Sequence, residues 1–450
     1  MNETVKNTPL FSGNDLIKLI IPLIIEQTLA VSIGLIDTIM VSAVGEAAVS
    51  GVSLVDSVNT LLIQILSALA TGGAVVCSQY MGKNDKETVK RSAGQLVYVM
   101  TLCSAFLMLI VLFFNRLILR GIFGKIDADV MNYARIYFIL SAISYPFLGL
   151  YNAGAALFRS IGDSKTSMIS SLIMNILNIG GNYILIFIFD LSVTGAAIAT
   201  LISRIISAVF IMFLIINKDT MVRIDNIRYL KPDNYIIGKL LKIGIPSGLE
   251  NGMFQIGKLA VSSLTSTFGT SAIAANSIAS NVSSFSNIPG NAMGLAMVTV
   301  VGRCIGAGER EQAKKYSKKL LMFSYMGLWA TNFIMTVFAK NIVGIFNLTP
   351  EATNIAINLI HSFSLIAIFI WPLSFTLPNT LRAAGDAKFT MIVSIFSMWT
   401  FRVLSSYFLA GYLRMGVLGV WLGMYIDWAF RSALFLIRYC RGRWLDIKLV

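Results

Sequence analysis

Charge is scarce in these 450 residues: 13% are Asp, Glu, Lys or Arg, against roughly 25% in a soluble globular domain. That deficit excludes an ordinary soluble enzyme. Histidine is almost missing as well, with His361 alone, so a histidine-built metal or nucleophile site is not expected. The four cysteines, Cys77, Cys103, Cys304 and Cys440, form no CxxC pair and no metal-ligand spacing, and they read as free thiols. No GxxxxGK[ST] phosphate loop occurs, so ATP does not power this chain from within. The polar opening, Met1–Asn14, has no basic stretch, short apolar core and cleavage site in series. The first apolar run, Leu16–Val41, is too long for a signal core and reads as a retained helix.

Apolar sequence fills the rest. Hydrophobic residues make up 56% of the chain, and the mean hydropathy is +0.75. Apolar segments fall at about 15–42, 52–80, 92–114, 131–157, 167–189, 194–216, 237–267, 273–301, 317–338, 352–378, 388–411 and 416–438. A spanning helix needs about 20 such residues. The expectation is an all-α polytopic membrane protein with twelve transmembrane helices.

The formal charge of +14 would suggest nucleic acid in a soluble protein. Cytoplasmic loops of membrane proteins collect Lys and Arg for a different reason, their orientation in the bilayer. With the N-terminus inside, cytoplasmic segments hold about 26 of the 36 basic residues, and external segments hold about six: Arg116, Arg120, Lys125, Arg135, Lys340 and Arg414. No basic helix lies outside the apolar spans, so no nucleic-acid partner is expected. Both termini are expected on the cytoplasmic side.

The chain repeats itself. At a shift of 224 residues, Pro22 and Glu26 of "IPLIIEQ" fall on Pro246 and Glu250 of "IPSGLEN", Gly45 on Gly269, and Gly82 on Gly306. At 223, "FRSIGDSKTSMI" meets "LRAAGDAKFTMI", aligning Arg159, Gly162, Asp163 and Lys165 with Arg382, Gly385, Asp386 and Lys388. The expected lobes are residues 1–216 and 237–450, joined by a cytoplasmic linker, 217–236. Its continuation, Asn234–Ile245, reads as a short helix at the inner interface. Six spans per half is an even number, so the two six-helix bundles should be related by a pseudo-twofold axis along the membrane normal. Twin bundles of that kind open a cavity alternately to the two sides, which points to a transporter.

Ionisable residues inside spans cost about 2.5–3.5 kcal/mol each on insertion scales, so each invites a functional reading. Here they are Glu26, Asp37, Asp56, Arg204, Glu250, Lys258, His361, Arg402, Asp427 and Arg431. Glu26 and Asp37, eleven residues apart, share one helix face about 16 Å apart in depth. Each could carry a coupling ion, or be fixed by a buried Arg or by backbone donors. Glu250 and Lys258 share a face of span seven about 12 Å apart. Lys258 either faces a cavity or snorkels outward. Asn175, Asn178 and Asn182 form a stripe on span five that either bonds neighbouring helices or faces an ion path. Asp427 and Arg431 stand at ion-pair spacing and, with Arg402, read as a structural cluster. His361 either senses pH or is a hydrogen-bonded packing residue. Pro289-Gly290 interrupts span eight, Pro22 and Pro246 bend the openings of spans one and seven, and such breaks allow bending during gating.

Taken together, "GLIDTIMVSAVGEAAVSGVS", the paired "RSIGD" and "RAAGD" loops, "GKND" and "GAGE", and the closing "GVWLGMYIDWAFRSALFLIR" resemble the multidrug and toxic compound extrusion (MATE) family over essentially the whole chain. The resemblance implies twelve helices in two lobes and a secondary active antiporter that exports lipophilic organic cations in exchange for H⁺ or Na⁺. Asp37 matches the family's first-helix ion-coupling Asp, and Asn178 its fifth-helix Asn. Many members have Asp where this chain has Asn182, and a seventh-helix Glu where it has Phe254. The coupling-ion set is then Asp37, Asn178, Asn182 and Glu26, with Glu250, Lys258 and Phe254 at a substrate or second ion site, and Pro289, Arg402, Asp427 and Arg431 in gating or structure. The expected partners are small organic cations, a monovalent coupling cation and the lipid bilayer. No cofactor is expected beyond the coupling ion, and the chain is expected to act as a monomer in the cell membrane. A lipid-linked precursor flippase of the same superfamily is the alternative, and a membrane-embedded enzyme or receptor a third.

Overall fold

A computed structural model describes residues 9–124, 127–346 and 348–450; the first eight residues and Lys125 lie outside the described residues. The described chain is helical almost throughout. In order come α1 (Gly13–Ser42), α2 (Glu46–Gly82), α3 (Lys86–Phe123), α4 (Ala128–Ile143), α5 (Tyr145–Ser160), α6 (Ser164–Asn182), α7 (Ser192–Asn217), α8 (Asn234–Ser266) and α9 (Thr270–Ser286). There follow α10 (Ile288–Gly306), α11 (Arg310–Val337), α12 (Ala339–Gly344), α13 (Pro350–Trp371), α14 (Leu377–Ala383), α15 (Ala387–Ser397), α16 (Leu404–Ser406) and α17 (Gly416–Cys440).

Among the described residues ten helical stretches are long and apolar enough to cross a bilayer. The pair α4–α5 adds an eleventh, bent by 46°. The helix α8, with the polar residues of its first turns and Glu250 and Lys258 inside it, completes twelve spans. The bend has a chemical cause. Pro146 sits in the first turn of α5, where its missing N–H leaves no bond back to α4. Pro289 does the same at α10, so the expected eighth span is two helices, α9 and α10, meeting at Asn287. Pro372 opens a π-helical turn, Pro372–Thr376, between α13 and α14.

Some helices, α6 above all, turn polar side chains inward and apolar ones outward. Helix α6 buries Ser164, Thr166, Ser167, Ser170, Ser171, Asn175, Asn178 and Asn182, while Leu172 and Ile176 are exposed. On α3, Phe113 is 78% exposed. Lipid is as apolar as these side chains, so helices associate through small and hydrogen-bonding residues instead.

The chain divides into two compact units: Ile21–Gly248, and the chain up to Ile20 together with Leu249–Val450. They are offset from the expected lobes for identifiable reasons. Leu10 N–H donates to Gln312 Oε1 and Phe11 N–H to the Tyr316 hydroxyl, fixing the opening residues to α11. The expected linker is tied to α3, where Gln95 Nε2 donates to the carbonyls of Tyr229 and Lys231 at 2.7 Å each and Lys90 pairs with Asp225. Gly94 permits this, because a Cβ there would stand 2.3 Å from the Tyr229 carbonyl oxygen. No separate interfacial helix forms at 234–245: α8 runs unbroken from Asn234 to Ser266 with Pro246 inside it. Each unit has its own core. That of the first is built on Val41, Val55, Phe138 and Tyr145, that of the second on Phe363, Trp371, Trp421 and Trp428.

Candidate functional site

The first unit gathers Asp37, Asp56 and Asn182 around one small cavity of about 20 Å³, room for about one water-sized occupant. Thr38, Ser53, Tyr137 and Thr200 also line it. Asn182, the last residue of α6, donates to Asp37 Oδ1 at 2.7 Å and to Asn178 Oδ1 at 3.3 Å. Asn178 in turn donates to Thr200 Oγ1 at 3.1 Å. The three- and four-residue spacing read from α6 is what stacks these amides on one face. Asn182 is 1% exposed, and its own carbonyl oxygen has no partner.

The charges around the cavity are unbalanced. Asp56 repels Asp37, and Arg204 attracts both. Tyr137 and Asn59 hydrogen-bond with Asp56, while Arg204 donates to Ser144 Oγ at 2.7 Å. Two carboxylates beside one water-sized space, with a free amide oxygen and hydroxyls, form an all-oxygen donor set. Such a set suits a proton shared between carboxyls or a hard monovalent cation. Asp56 is one of the intramembrane ionisable residues, but no spacing in the sequence shows that α2 turns it toward Asp37.

Glu26 lies elsewhere. Its Oε1 accepts from Arg159 Nη1 at 2.6 Å and its Oε2 from Ser167 Oγ at 2.7 Å. The second unit repeats this arrangement on the aligned residues: Glu250 accepts from Arg382 at 2.7 Å and from Thr390 Oγ1 at 3.3 Å, with Ser394 Oγ added at 2.6 Å. Both carboxylates are therefore held by a largely buried arginine, which for Glu26 is one of the two roles open from sequence. The RxxGD loops also become intelligible here. Arg159 and Arg382 reach back to the glutamates. Gly162 and Gly385 take φ of 86° and 103°, which side chains rarely adopt. Asp163 then caps α6 by accepting from Thr166 N–H and pairs with Lys218, whereas Asp386 pairs with Arg438 at 2.7 Å.

In the second unit Phe254 packs edge-on against Phe375 and lies under two guanidinium groups, Arg402 at 5.3 Å and Arg431 at 5.6 Å. Lys258, one turn further along α8, is exposed, and Arg402 repels it. The ion pair expected from the spacing of Asp427 and Arg431 does not form. Ser397 donates to Asp427 Oδ1, and Arg431 donates to the Ser374 carbonyl at 3.2 Å and stacks 4.6 Å from the Phe375 ring. Helical spacing set both residues on one face, but neighbouring partners turned the two head groups apart. Pro289 packs against α11 at Gly327, where a Cβ would come within 2.5 Å of the proline ring. His361 is exposed on α13. Among the described residues no group of three or more His, Cys, Asp or Glu could hold a metal ion.

A family model described as MatE matches the chain twice, over residues 22–184 and 246–408. The two matches coincide with the repeat, each beginning at its proline. The chain is 29% identical over 442 residues to "Uncharacterized transporter YisQ" of Bacillus subtilis, covering 94% of this chain and 93% of that protein. It is 27% identical over 438 residues to "Probable multidrug resistance protein NorM" of Thermotoga maritima, covering 96% and 92%. Among solved structures, the outward-facing conformation of a multidrug resistance MATE family transporter of the MOP superfamily superposes with a TM-score of 0.90, at 22% identity and 96% coverage of both chains.

Proposed function

Since the chain belongs to the MatE family of transporters, we propose that it is a secondary active antiporter that expels lipophilic compounds, organic cations among them, in exchange for H⁺ or Na⁺. It is a multi-pass membrane transporter and not an enzyme. The observation that carries the antiport reading is the cavity where Asp37, bonded to Asn182, meets Asp56. In this reading the coupling ion enters as a proton or a cation between the two carboxylates, and Asn182 and Asn178 orient Asp37 to receive it. Glu26 and Glu250, each satisfied by an arginine and hydroxyl groups, hold their helices in place rather than exchange ions. Phe254 and its aromatic neighbours offer an apolar surface to the exported compound. A relative named as a probable multidrug resistance protein supports efflux over lipid flipping, and the twelve spans leave none over for the extra helices expected of a flippase.

The test uses proteoliposomes holding the purified protein and a fluorescent lipophilic cation, with a proton gradient or a Na⁺ gradient imposed separately. Movement driven by one gradient, and abolished in Asp37→Asn with the protein still folded, is the expected result. A fully active Asp37→Asn variant would overturn the site, and no movement under either gradient would overturn the antiport.

A further inference from the structure

Around Phe254 the second unit gathers more positive charge than it neutralises, two arginines inside and an exposed lysine beside them. Arg382 is matched by Glu250. Arg431, Arg402 and Lys258 remain; Asp427 attracts both arginines, and Glu250 attracts Arg431 as well. Asp427 does so from a distance: among the described residues no ion pair within 4.0 Å joins it to either.

The hydrogen-bond ledger points the same way. Arg431 is 3% exposed, yet its Nε and Nη1 have no acceptor, and Arg402 Nε has none either. The indole N–H groups of Trp399, three residues before Arg402, and Trp428, three before Arg431, are also unmet. These five nitrogens are donors, against one unmet carboxylate oxygen in the cluster, Asp427 Oδ2. A buried donor left without an acceptor costs free energy, and a charged one more so, unless an acceptor arrives. The matching occupant is an acceptor with negative charge. Guanidinium forks favour planar or tetrahedral oxyanions. Phe254 lies beneath both arginines, and Phe375 packs edge-on against Phe254 and Trp428, so the charged end opens onto an aromatic wall.

We propose that Arg402, Arg431 and Lys258 form an anion-accepting subsite for the carboxylate or phosphate group of an amphiphile whose apolar body rests on Phe254 and Phe375. The inference rests on reading the chain as an exporter and narrows what it exports. A zwitterion satisfies both statements, offering a cationic group for export and an oxyanion to this cluster. Lys258, the exposed member, is the first charge such a group meets, and Arg431 is the deepest.

Calorimetric titration of the full chain in neutral phosphatidylcholine nanodiscs tests this with 1-naphthyl phosphate, 1-naphthylmethylammonium and inorganic phosphate. The naphthyl phosphate is expected to bind at least about tenfold more tightly than either of the others. Lys258→Gln and Arg402→Gln should each weaken it about tenfold, while Arg402→Lys, which keeps the charge and loses the fork, should recover part of the loss. Arg431 is left intact because its burial ties it to folding, and an unchanged thermal midpoint controls for structure in the other variants. Equal binding of the two naphthyl compounds, or phosphate binding indifferent to both Gln variants, overturns the subsite. Inorganic phosphate binding as tightly as its naphthyl ester overturns the aromatic wall. Repeating the titration in phosphatidylglycerol discs separates the sources. Competition there makes a lipid headgroup the occupant, and no competition makes it a soluble compound. Binding that survives in a protein without ion-driven transport leaves the subsite standing and overturns antiport; the converse result does the reverse.

Discussion

At the scale of single residues, ion binding and stability turn on which polar groups have their partners. Asn182 bridges Asp37 and Asn178 through one amide nitrogen while its oxygen stays unpaired. A hydrogen bond to a charged group is worth about 1.5–3 kcal/mol. Asn182→Ala should therefore raise the half-saturating concentration of the coupling ion in vesicle transport by about tenfold or more, without loss of folded protein. An unchanged ion dependence would remove Asn182 from the site. Glu26 behaves in the opposite way. Its partner Arg159 is largely buried, so Glu26→Gln takes the opposing charge away from that cation and should cost about 3–5 kcal/mol of stability. A lowered thermal midpoint with the ion dependence of transport intact is the expected signature in purified protein. The stripe of Asn175, Asn178 and Asn182 on α6 is legible in the sequence, because the 3.6-residue period fixes which residues share a face. That period does not bring in Asp56, since the rotation of one helix against another is set by packing. The Glu26–Arg159 pair was within reach, for the repeat carries both partners twice, at Glu250 and Arg382.

At the scale of elements, the loops between helices do more than connect. The turn at Arg159–Asp163 ends α5, reverses at Gly162 and caps α6 within five residues. Burial pushes the Asp163 carboxyl up, but its bonds from Lys218 and Thr166 outweigh that and hold it below its usual value of 3.8. A carboxyl depressed in the folded state stabilises above its unfolded value, and loses that contribution as pH falls through its folded value. Asp163→Ala should thus lower stability by about 1 kcal/mol near neutral pH through the lost cap. The gap from the parent protein should narrow as pH falls below 3.8. Thermal unfolding in detergent at the two pH values measures it, and a gap independent of pH would show that the charge contributes nothing. Each of the breaks at Pro146, Pro289 and Pro372 carries a proline in the sequence. Whether each would produce a bend, two helices or a π-turn is not legible there, because neighbouring helices decide how the freed carbonyl is satisfied. Asn234–Ile245 shows the same limit: Pro246, twelve residues into α8, is tolerated inside a continuous helix.

At the scale of the whole molecule, the basic residues supply the orientation that helix packing cannot. Both termini were placed inside because Arg438, Arg441, Arg443 and Lys448 close the chain, while the segments assigned to the outside hold few cations. The twofold repetition was equally legible, since turn glycines and intramembrane charges recur in register. The division of the folded chain was not, because the first residues attach to α11 through Gln312 and Tyr316, contacts far apart in sequence. The cysteines give the orientation a direct test. Cys77 and Cys304 are buried, Cys103 is half-buried within α3, and Cys440 is exposed at the end of α17, within the basic tail. A membrane-impermeant maleimide should then label inverted vesicles at Cys440, leave intact cells unlabelled, and lose its signal in Cys440→Ser. Labelling of intact cells that disappears in Cys440→Ser would put the tail outside. Twelve spans would then force the N-terminus outside with it, and the cationic loops would face the side where such charge is normally sparse.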